Sequence, residues 1–252
     1  MKHALKLLSI LSFTLPFVVT IGNALASNVN PAPSADLIYK IKSSQKGIPV
    51  SGEAKIQWRL LDGAGEKLRY SLASETSVSL LGKILSTSSA GQVNDNGLVP
   101  ELFIEKRFRR QQTQTNFDKR NKQIIFSGGE PPVPLKGGEQ DRLSVTWQLV
   151  ALARYAGEQL RNGLEWRMTV AGVHDADIWS FQILGKTTLR TELGDVEAIH
   201  ILRAPPSDAL GQHLELWLAP SLDYYPVRIS FTDNNGDKVD QRISKIQKLN
   251  SN

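Results

Sequence analysis

Apart from His3, the 252-residue chain carries three histidines, His174, His200 and His213, and acid–base chemistry near neutral pH would start from one of them. Each falls on or beside a segment of alternating polar and apolar residues, so we read all three as structural. A serine hydrolase would need its nucleophile on a sharp strand-to-helix turn, and no G-x-S-x-G sequence occurs. Cysteine is absent, which removes cysteine nucleophiles, thiolate metal sites and disulfides together. His174-Asp175-Ala176-Asp177 gathers ligand-type side chains that zinc or calcium would accept. No H-x-x-x-H, H-E-x-x-H or calcium-loop pattern accompanies them. A polar hairpin tip ahead of Ile178-Trp179-Ser180-Phe181 is the plainer reading. We expect no catalytic residue, no metal and no cofactor.

Binding chemistry is better represented. Lys106, Arg107, Arg109, Arg110, Lys119, Arg120 and Lys122 fall within 17 residues, with Glu105 and Asp118 as the neighbouring acids. On two adjacent strands of a curled sheet several of these cations would share one outer patch. Such a patch suits lipid head groups, lipopolysaccharide phosphates or an acidic envelope protein. The competing reading, which we favour, is a solvated edge hairpin whose charge blocks sheet-to-sheet aggregation. Nucleic acid is not expected as a partner, since only Phe108 and Phe117 interleave as stacking aromatics.

Strands must position these residues. Ala54, Ile56, Trp58 and Leu60 alternate with Glu53, Lys55, Gln57 and Arg59, and Leu68, Tyr70 and Leu72 alternate with Lys67, Arg69 and Ser71. Asp62-Gly63-Ala64-Gly65 between them reads as a hairpin turn. Trp166, Met168 and Val170 face away from Glu165, Arg167 and Thr169, as Val227, Ile229 and Phe231 do from Arg228, Ser230 and Thr232. Asn234-Asn235-Gly236-Asp237 then turns into a last strand near Lys238. About ten to twelve strands joined by short turns make an antiparallel sheet. From Asp141 to Ala156 the apolar positions fall three and four apart, which predicts one helix, capped by Asp141 or Ser144 and closed by Gly157 or Gly163. Gly128-Gly129-Glu130-Pro131-Pro132-Val133-Pro134 is too rich in Pro and Gly for a strand, and marks the boundary if there are two sheets rather than one.

Lys2, His3 and Lys6, the apolar run Leu7 to Ile21, and Ala24-Leu25-Ala26 follow the three-part order of a secretory signal peptide cleaved after Ala26. The run of about 15 residues is shorter than the roughly 20 that a spanning helix needs. No cysteine follows the cleavage site to carry a lipid, and nothing beyond Ile21 is apolar enough to cross a bilayer. The expectation is an exported, periplasmic protein with no transmembrane anchor: signal peptide 1–26, flexible leader 27–35 and a single mainly-β domain 36–248. Losing the signal lowers the net charge from +5 to +3, too little to argue for a polyanionic partner by itself.

Ten strands spaced about 4.8 Å make a sheet roughly 48 Å wide. A helix of about 16 residues is about 24 Å long and about 10 Å across, so it cannot cover one face of that sheet. The sheet must curl around the helix or around itself, as a half-barrel or barrel does. The expected fold class is therefore mainly β, a large curled antiparallel sheet with one principal helix packed on or in it. Such a sheet leaves room for an apolar hollow, with Trp58, Tyr70, Trp147, Trp166 and Phe231 as its candidate lining.

Three segments carry a family likeness. They are Gly91-Gln92-Val93-Asn94-Asp95-Asn96-Gly97-Leu98-Val99-Pro100-Glu101-Leu102-Phe103, then Gln140-Asp141-Arg142-Leu143-Ser144, then Leu216-Trp217-Leu218-Ala219-Pro220-Ser221-Leu222-Asp223-Tyr224-Tyr225-Pro226-Val227-Arg228. With Asn116-Phe117-Asp118 and Thr191-Glu192-Leu193-Gly194, the set resembles the bacterial domain-of-unknown-function family 3108 (DUF3108) over about residues 36–248. That family is exported and has no established activity, so the resemblance implies a compartment and transfers no catalytic residue. The Trp-Leu-x-Pro…Pro-Val-Arg hairpin is also similar to the LolA/LolB superfamily of periplasmic lipoprotein carriers, whose half-barrel holds acyl chains. That is a likeness between folds, from which function does not follow. In the third segment Pro220 and Pro226 lack the N–H a ladder needs and bracket an irregular corner. Asp223 is expected to bond the corner's backbone amides, with Tyr224 and Tyr225 packed over the sheet edge.

Three functions come out of this reading, in order. The first is a non-catalytic periplasmic binding protein that holds a hydrophobic ligand, a lipid or acyl chain, in the curled sheet. The second is an envelope interaction or scaffold protein acting through the basic hairpin. The last is a hydrolase of envelope polymers.

Overall fold

Alternation becomes strand wherever the sequence sustains it. In β2 (Ile48–Asp62), Ala54, Ile56 and Trp58 are buried while Glu53, Lys55 and Gln57 are exposed. The computed structural model describes residues 29–45, 48–62, 68–79, 81–203 and 212–249. The predicted signal peptide and the turn after Asp62 lie outside the described residues. Before the helix the strands are β1 (Ala35–Gln45), β2, β3 (Leu68–Val78), β4 (Gly82–Asn94), β5 (Gly97–Arg107), β6 (Thr113–Asp118), β7 (Gln123–Phe126), β8 (Val133–Pro134) and β9 (Gln140–Asp141). After α1 (Ser144–Ala156) come β10 (Glu165–Ala171), β11 (Ala176–Thr191), β12 (Gly194–Arg203), β13 (His213–Leu218), β14 (Pro226–Thr232) and β15 (Lys238–Lys248).

These fifteen strands of the described residues form one continuous sheet, more strands than the alternation predicts. The excess includes β8 and β9, which are two residues each and too short to show a period. Val133–Pro134 corrects the expectation that the Pro- and Gly-rich loop holds no strand: proline is tolerated there because β8 is the outermost strand, with no ladder to supply on its far side. Two antiparallel meanders, β1 to β8 and β10 to β15, lie side by side and join where β1 pairs with β15, Ala35 opposite Lys248. The one parallel pair among the described strands is β9 with β10.

The sheet is curled but not closed, and side chains bridge the gap between its two edges. Ser89 of β4 donates its hydroxyl to Asp141 Oδ2 at 2.5 Å. Gln140 Nε2 donates to the Leu98 carbonyl oxygen at 2.7 Å, and Thr115 Oγ1 donates to that of Gly172 at 2.7 Å. Register shifts at Ile38/Tyr39, Thr76/Ser77, Ala90/Gly91 and Ile183/Gly185 bend individual strands into the curl.

The helix begins at Ser144, three residues later than the apolar spacing suggests. Asp141 still caps it, because Oδ1 accepts from the backbone N–H groups of Leu143 at 2.8 Å and Ser144 at 2.7 Å. Gly157 closes it. The helix lies inside the curl, and Val145, Trp147, Leu149, Val150, Ala151 and Ala153 are buried around its circumference. Gly97 explains part of the Gly-Leu-x-Pro segment. A Cβ there would stand 2.1 Å from Gln148 Oε1, the atom that accepts the Leu98 N–H.

Residues 29–35 differ from the flexible leader the sequence suggests. Ala32 is buried, Asn30 N–H donates to the Ala151 carbonyl oxygen at 3.2 Å, and Trp58 Nε1–H donates to that of Ala32 at 2.8 Å. The segment lacks a period because it packs across the helix as irregular chain. The corner after β13 also departs from expectation. Asp223 does not serve the corner's amides; it pairs with Arg154 Nη1 at 2.6 Å and with Lys248. The amide of Tyr224 instead donates to the Ala219 carbonyl oxygen at 2.8 Å.

Candidate functional site

Because consecutive strands reverse direction, β1, β3, β5, β10 and β14 all end at one end of the sheet. The helix occupies the other half. Arg154 in its last turn reaches Asp223 and the Asn30 carbonyl oxygen there, while its first turn faces the open end. Between that first turn and the open end lies a hollow of about 240 Å³. Ile56, Leu85, Phe103, Trp179, Leu214 and Ile229 line its walls, and Val145 and Trp147 form its floor. Strands from both meanders contribute, so the hollow is the unfilled part of the curl. Its polar lining includes Thr76, Thr87 and Glu105.

Of the predicted lining, Trp147 is in place. Trp58 and Tyr70 lie deeper, stacked behind it, with ring centroids 4.5 Å apart for Trp147 with Trp58 and 5.9 Å for Trp58 with Tyr70. Their role is to fill the plugged half. Trp166 is half-buried and packs against the core rather than the hollow. Phe231 pairs with Leu214 across the ladder and so shares its face, but it is 37% exposed, at the rim instead of inside.

The basic stretch is divided. Glu105 opposes Thr113 and Leu102 opposes Asn116 in the β5–β6 register. Lys106, Arg107, Arg109 and Arg110 therefore sit at the open end, whereas Lys119, Arg120 and Lys122 lie at the plugged end, roughly 17 Å of strand away. One common patch is ruled out by that geometry: a hairpin separates residues at its tip from residues at its base. Several of these groups already have partners. Arg107 Nε meets Glu105 Oε1 at 2.6 Å, Lys119 meets Glu101 at 3.1 Å, and Arg109 lies over the Phe108 ring at 4.9 Å.

At the open end, on the seam between the sheet's edges, a cleft of about 440 Å³ is lined by Glu105, Arg107, Arg110, Thr113, Arg142 and His174 among others. Arg142 Nη2 also meets Asp175 Oδ1 at 2.9 Å across the hairpin tip, and His174 Nδ1 pairs with Glu130. Hydrogen bonds with His174 contribute to holding the Glu130 carboxyl below its usual range, after a larger contribution from backbone amide donation. The Thr113 hydroxyl of this cleft donates to the Glu105 carbonyl oxygen at 3.4 Å. His200 is remote from both spaces, paired with Glu215 at 2.7 Å and stacked on Trp217 at 4.5 Å.

Two features escape sequence reasoning. Arg203 lays its guanidinium 3.9 Å above the Trp179 ring, and its buried Nε has no hydrogen-bond partner among the described residues. Burial, and then the charge of Arg142, shift its pKa downward. Nothing in the local pattern announces this, because Arg203 ends a strand at an otherwise apolar edge. The second is a buried chain of hydrogen bonds, Tyr70 Oη to Ser89 Oγ at 2.9 Å and Ser89 to Asp141. Burial pushes the Asp141 carboxyl up to about 6, against the hydrogen bonds from Ser89, Ser144 and Leu143 that favour its charge. All three groups are sealed from solvent, so they act on the fold.

Other depressions are less suited to an apolar guest. A groove of about 360 Å³ lies among Asp36, Lys55, Glu75 and Lys245 on the convex face. A depression of about 640 Å³ lies beside Lys119, Lys122, Gly137 and Gly138. Both are bordered by charge.

The chain belongs to the family described as protein of unknown function (DUF3108), whose model matches residues 38–242. Among solved structures it is similar to a β-barrel-like protein of the domain of unknown function DUF1849 from Brucella abortus. The two share 11% identity and a TM-score of 0.56, over 88% of this chain and 100% of that one. That likeness concerns the fold alone. A protein described as exported, with a YmcC-like fold, from Bacteroides fragilis aligns with a TM-score of 0.42 at 10% identity, over 88% of this chain and 100% of that one. No curated protein matches the chain. Among the described residues no helix is long and apolar enough to cross a membrane.

Proposed function

We propose that this chain is a non-catalytic binding protein of the periplasm that holds a hydrophobic segment, an acyl chain, in the hollow of its curled sheet. The observation that carries the reading is the hollow's construction. Strands from both meanders supply an apolar wall, while the helix fills one half of the curl and stops short of the other. The size is informative as well. At about 30 Å³ for each water-sized group, 240 Å³ accepts roughly eight such groups. An acyl segment of roughly eight carbons fits, so a longer single chain would extend past the mouth, and a whole diacyl lipid does not fit.

The exposed apolar residues at the same end support this assignment. Ile48, Leu81, Phe108 and Phe231 are 65%, 60%, 44% and 37% exposed, and all border the turns around the mouth. An apolar rim lets a chain pass from a membrane or carrier into the hollow without crossing polar surface. The predicted N-terminal signal peptide supplies the compartment.

Native mass spectrometry of gently purified protein, with lipid extraction of the same sample, tests the reading. A bound acyl compound that disappears when Thr76→Phe fills the hollow is the expected result. Loss of no mass from the wild-type protein on extraction, with no uptake of added dodecanoate, would overturn it. The scaffold reading loses its main support, because the basic stretch it relied on is divided between the two ends.

A further inference from the structure

The apolar hollow and the basic cleft are neighbours with a common wall. Arg142 and Glu105 line both. On one side of that wall the surface is Phe103, Leu85 and Val145. On the other it is Arg107, Arg110, Thr113 and His174. A guest that spans the wall meets apolar groups at one end and hydrogen-bond donors at the other. Resting on the reading that the hollow accepts an acyl segment, we infer that the natural guest is an anionic amphiphile, whose phosphate or carboxylate head is held in the cleft by Arg110 and Arg142.

The charges around the cleft favour an anion in spite of the acids nearby. Glu105 is almost fully buried and already joined to Arg107. Asp175 takes one face of Arg142, but both groups of that pair are half-exposed, where an ion pair is weak and readily rearranged. The Arg110 guanidinium has no acid partner among the described residues, though its carbonyl oxygen accepts from Lys106 Nζ at 2.6 Å. Arg203 lines neither space but adds positive charge close to Arg142. Its guanidinium sits on Trp179, a wall residue of the hollow, with a buried Nε that no described group satisfies. Planar guanidinium groups are also the side chains best shaped to hold a carboxylate or phosphate.

Three probes with one tail length separate the possibilities: dodecyl phosphate, dodecanoate and uncharged dodecyl maltoside, each titrated below its micelle concentration into the full-length purified protein and followed by calorimetry. Both anionic probes should bind about tenfold or more tightly than the maltoside, the gain expected from one or two charge-assisted hydrogen bonds. The stronger of the two identifies a phosphate or carboxylate head. Arg110→Glu, on an exposed turn where folding is insensitive to it, should bring the anionic probes down to the maltoside level, with Arg142→Gln giving a similar loss. Equal affinity for all three probes would overturn the inference and leave the hollow as an acyl site. No binding of any probe would overturn both. Inorganic phosphate alone competing as well as dodecyl phosphate would show an anion site without a tail, and would also overturn it.

Discussion

Trp147 of the helix lies face to face with Trp58 of β2, ring centroids 4.5 Å apart and planes 11° from parallel. The pair separates the filled half of the curl from the hollow, since Trp147 presents its other side to the open space. Removing the ring deletes both the stack and the floor. Trp147→Ala is expected to cost about 3–5 kcal/mol, read from urea unfolding at constant temperature, and Trp147→Phe less. A loss under about 1 kcal/mol would mean that the helix does not hold the sheet in its curl.

Thr76 projects into the hollow from β3 with room in front of it. Thr76→Phe should therefore abolish uptake of dodecanoate while changing stability by about 1 kcal/mol or less, because it fills space instead of crowding a packed core. Uptake at wild-type affinity would place the guest elsewhere. Calorimetry and thermal unfolding of the same preparation make the comparison.

Asp141 gives the protein an unusual response to acid. Its folded-state pKa, pushed up to about 6 by burial, exceeds the ordinary value of 3.8. The folded chain therefore binds this proton more tightly than the unfolded chain does. The stabilisation is complete below about pH 4 and is lost as pH rises through about 6, amounting to about 3 kcal/mol from this group. Unfolding temperature should fall across that window in wild type and stay level in Asp141→Asn, which keeps an oxygen for the Leu143 and Ser144 amides. A wild-type profile as flat as the variant's would show that the charged form is held at no cost.

Tyr225 ties the N-terminal segment down, its hydroxyl donating to the Pro33 carbonyl oxygen at 2.7 Å. Tyr225→Phe should cost about 0.5–1.5 kcal/mol and speed amide hydrogen exchange in residues 30–34 selectively. Uniform acceleration over the chain would instead report a general loss of packing.

Strand identity and the need for curvature were legible because alternation and the width of ten strands are local or additive properties. Ile56 and Trp58 show their burial by position alone. The helix was legible for the same reason. The hollow's actual lining was not: Trp179, Leu214 and Ile229 come together through the curl, which no local period encodes. The basic stretch misled because seven cations close in sequence are divided by the hairpin that carries them. Of the segments that suggested the family, much turns out to be joinery. Gly97 makes space for Gln148, Gln140 spans the gap to Leu98, and Arg228 stacks on Trp217 at 4.3 Å. Phe103, Arg142, Leu143 and Pro226 belong both to such segments and to the lining of the hollow, and Arg142 lines the cleft as well.

The pairing of β1 with β15 has a consequence for how the chain comes into being. The first long strand finds its second neighbour only when the last one has been made, Ala35 waiting for Lys248. Each meander can zip up from neighbours close in sequence, but the central rung linking the two halves spans almost the entire polypeptide and is closed late, at a high entropic cost. Until β15 has been made, the two meanders lack the pairing that joins them into one sheet.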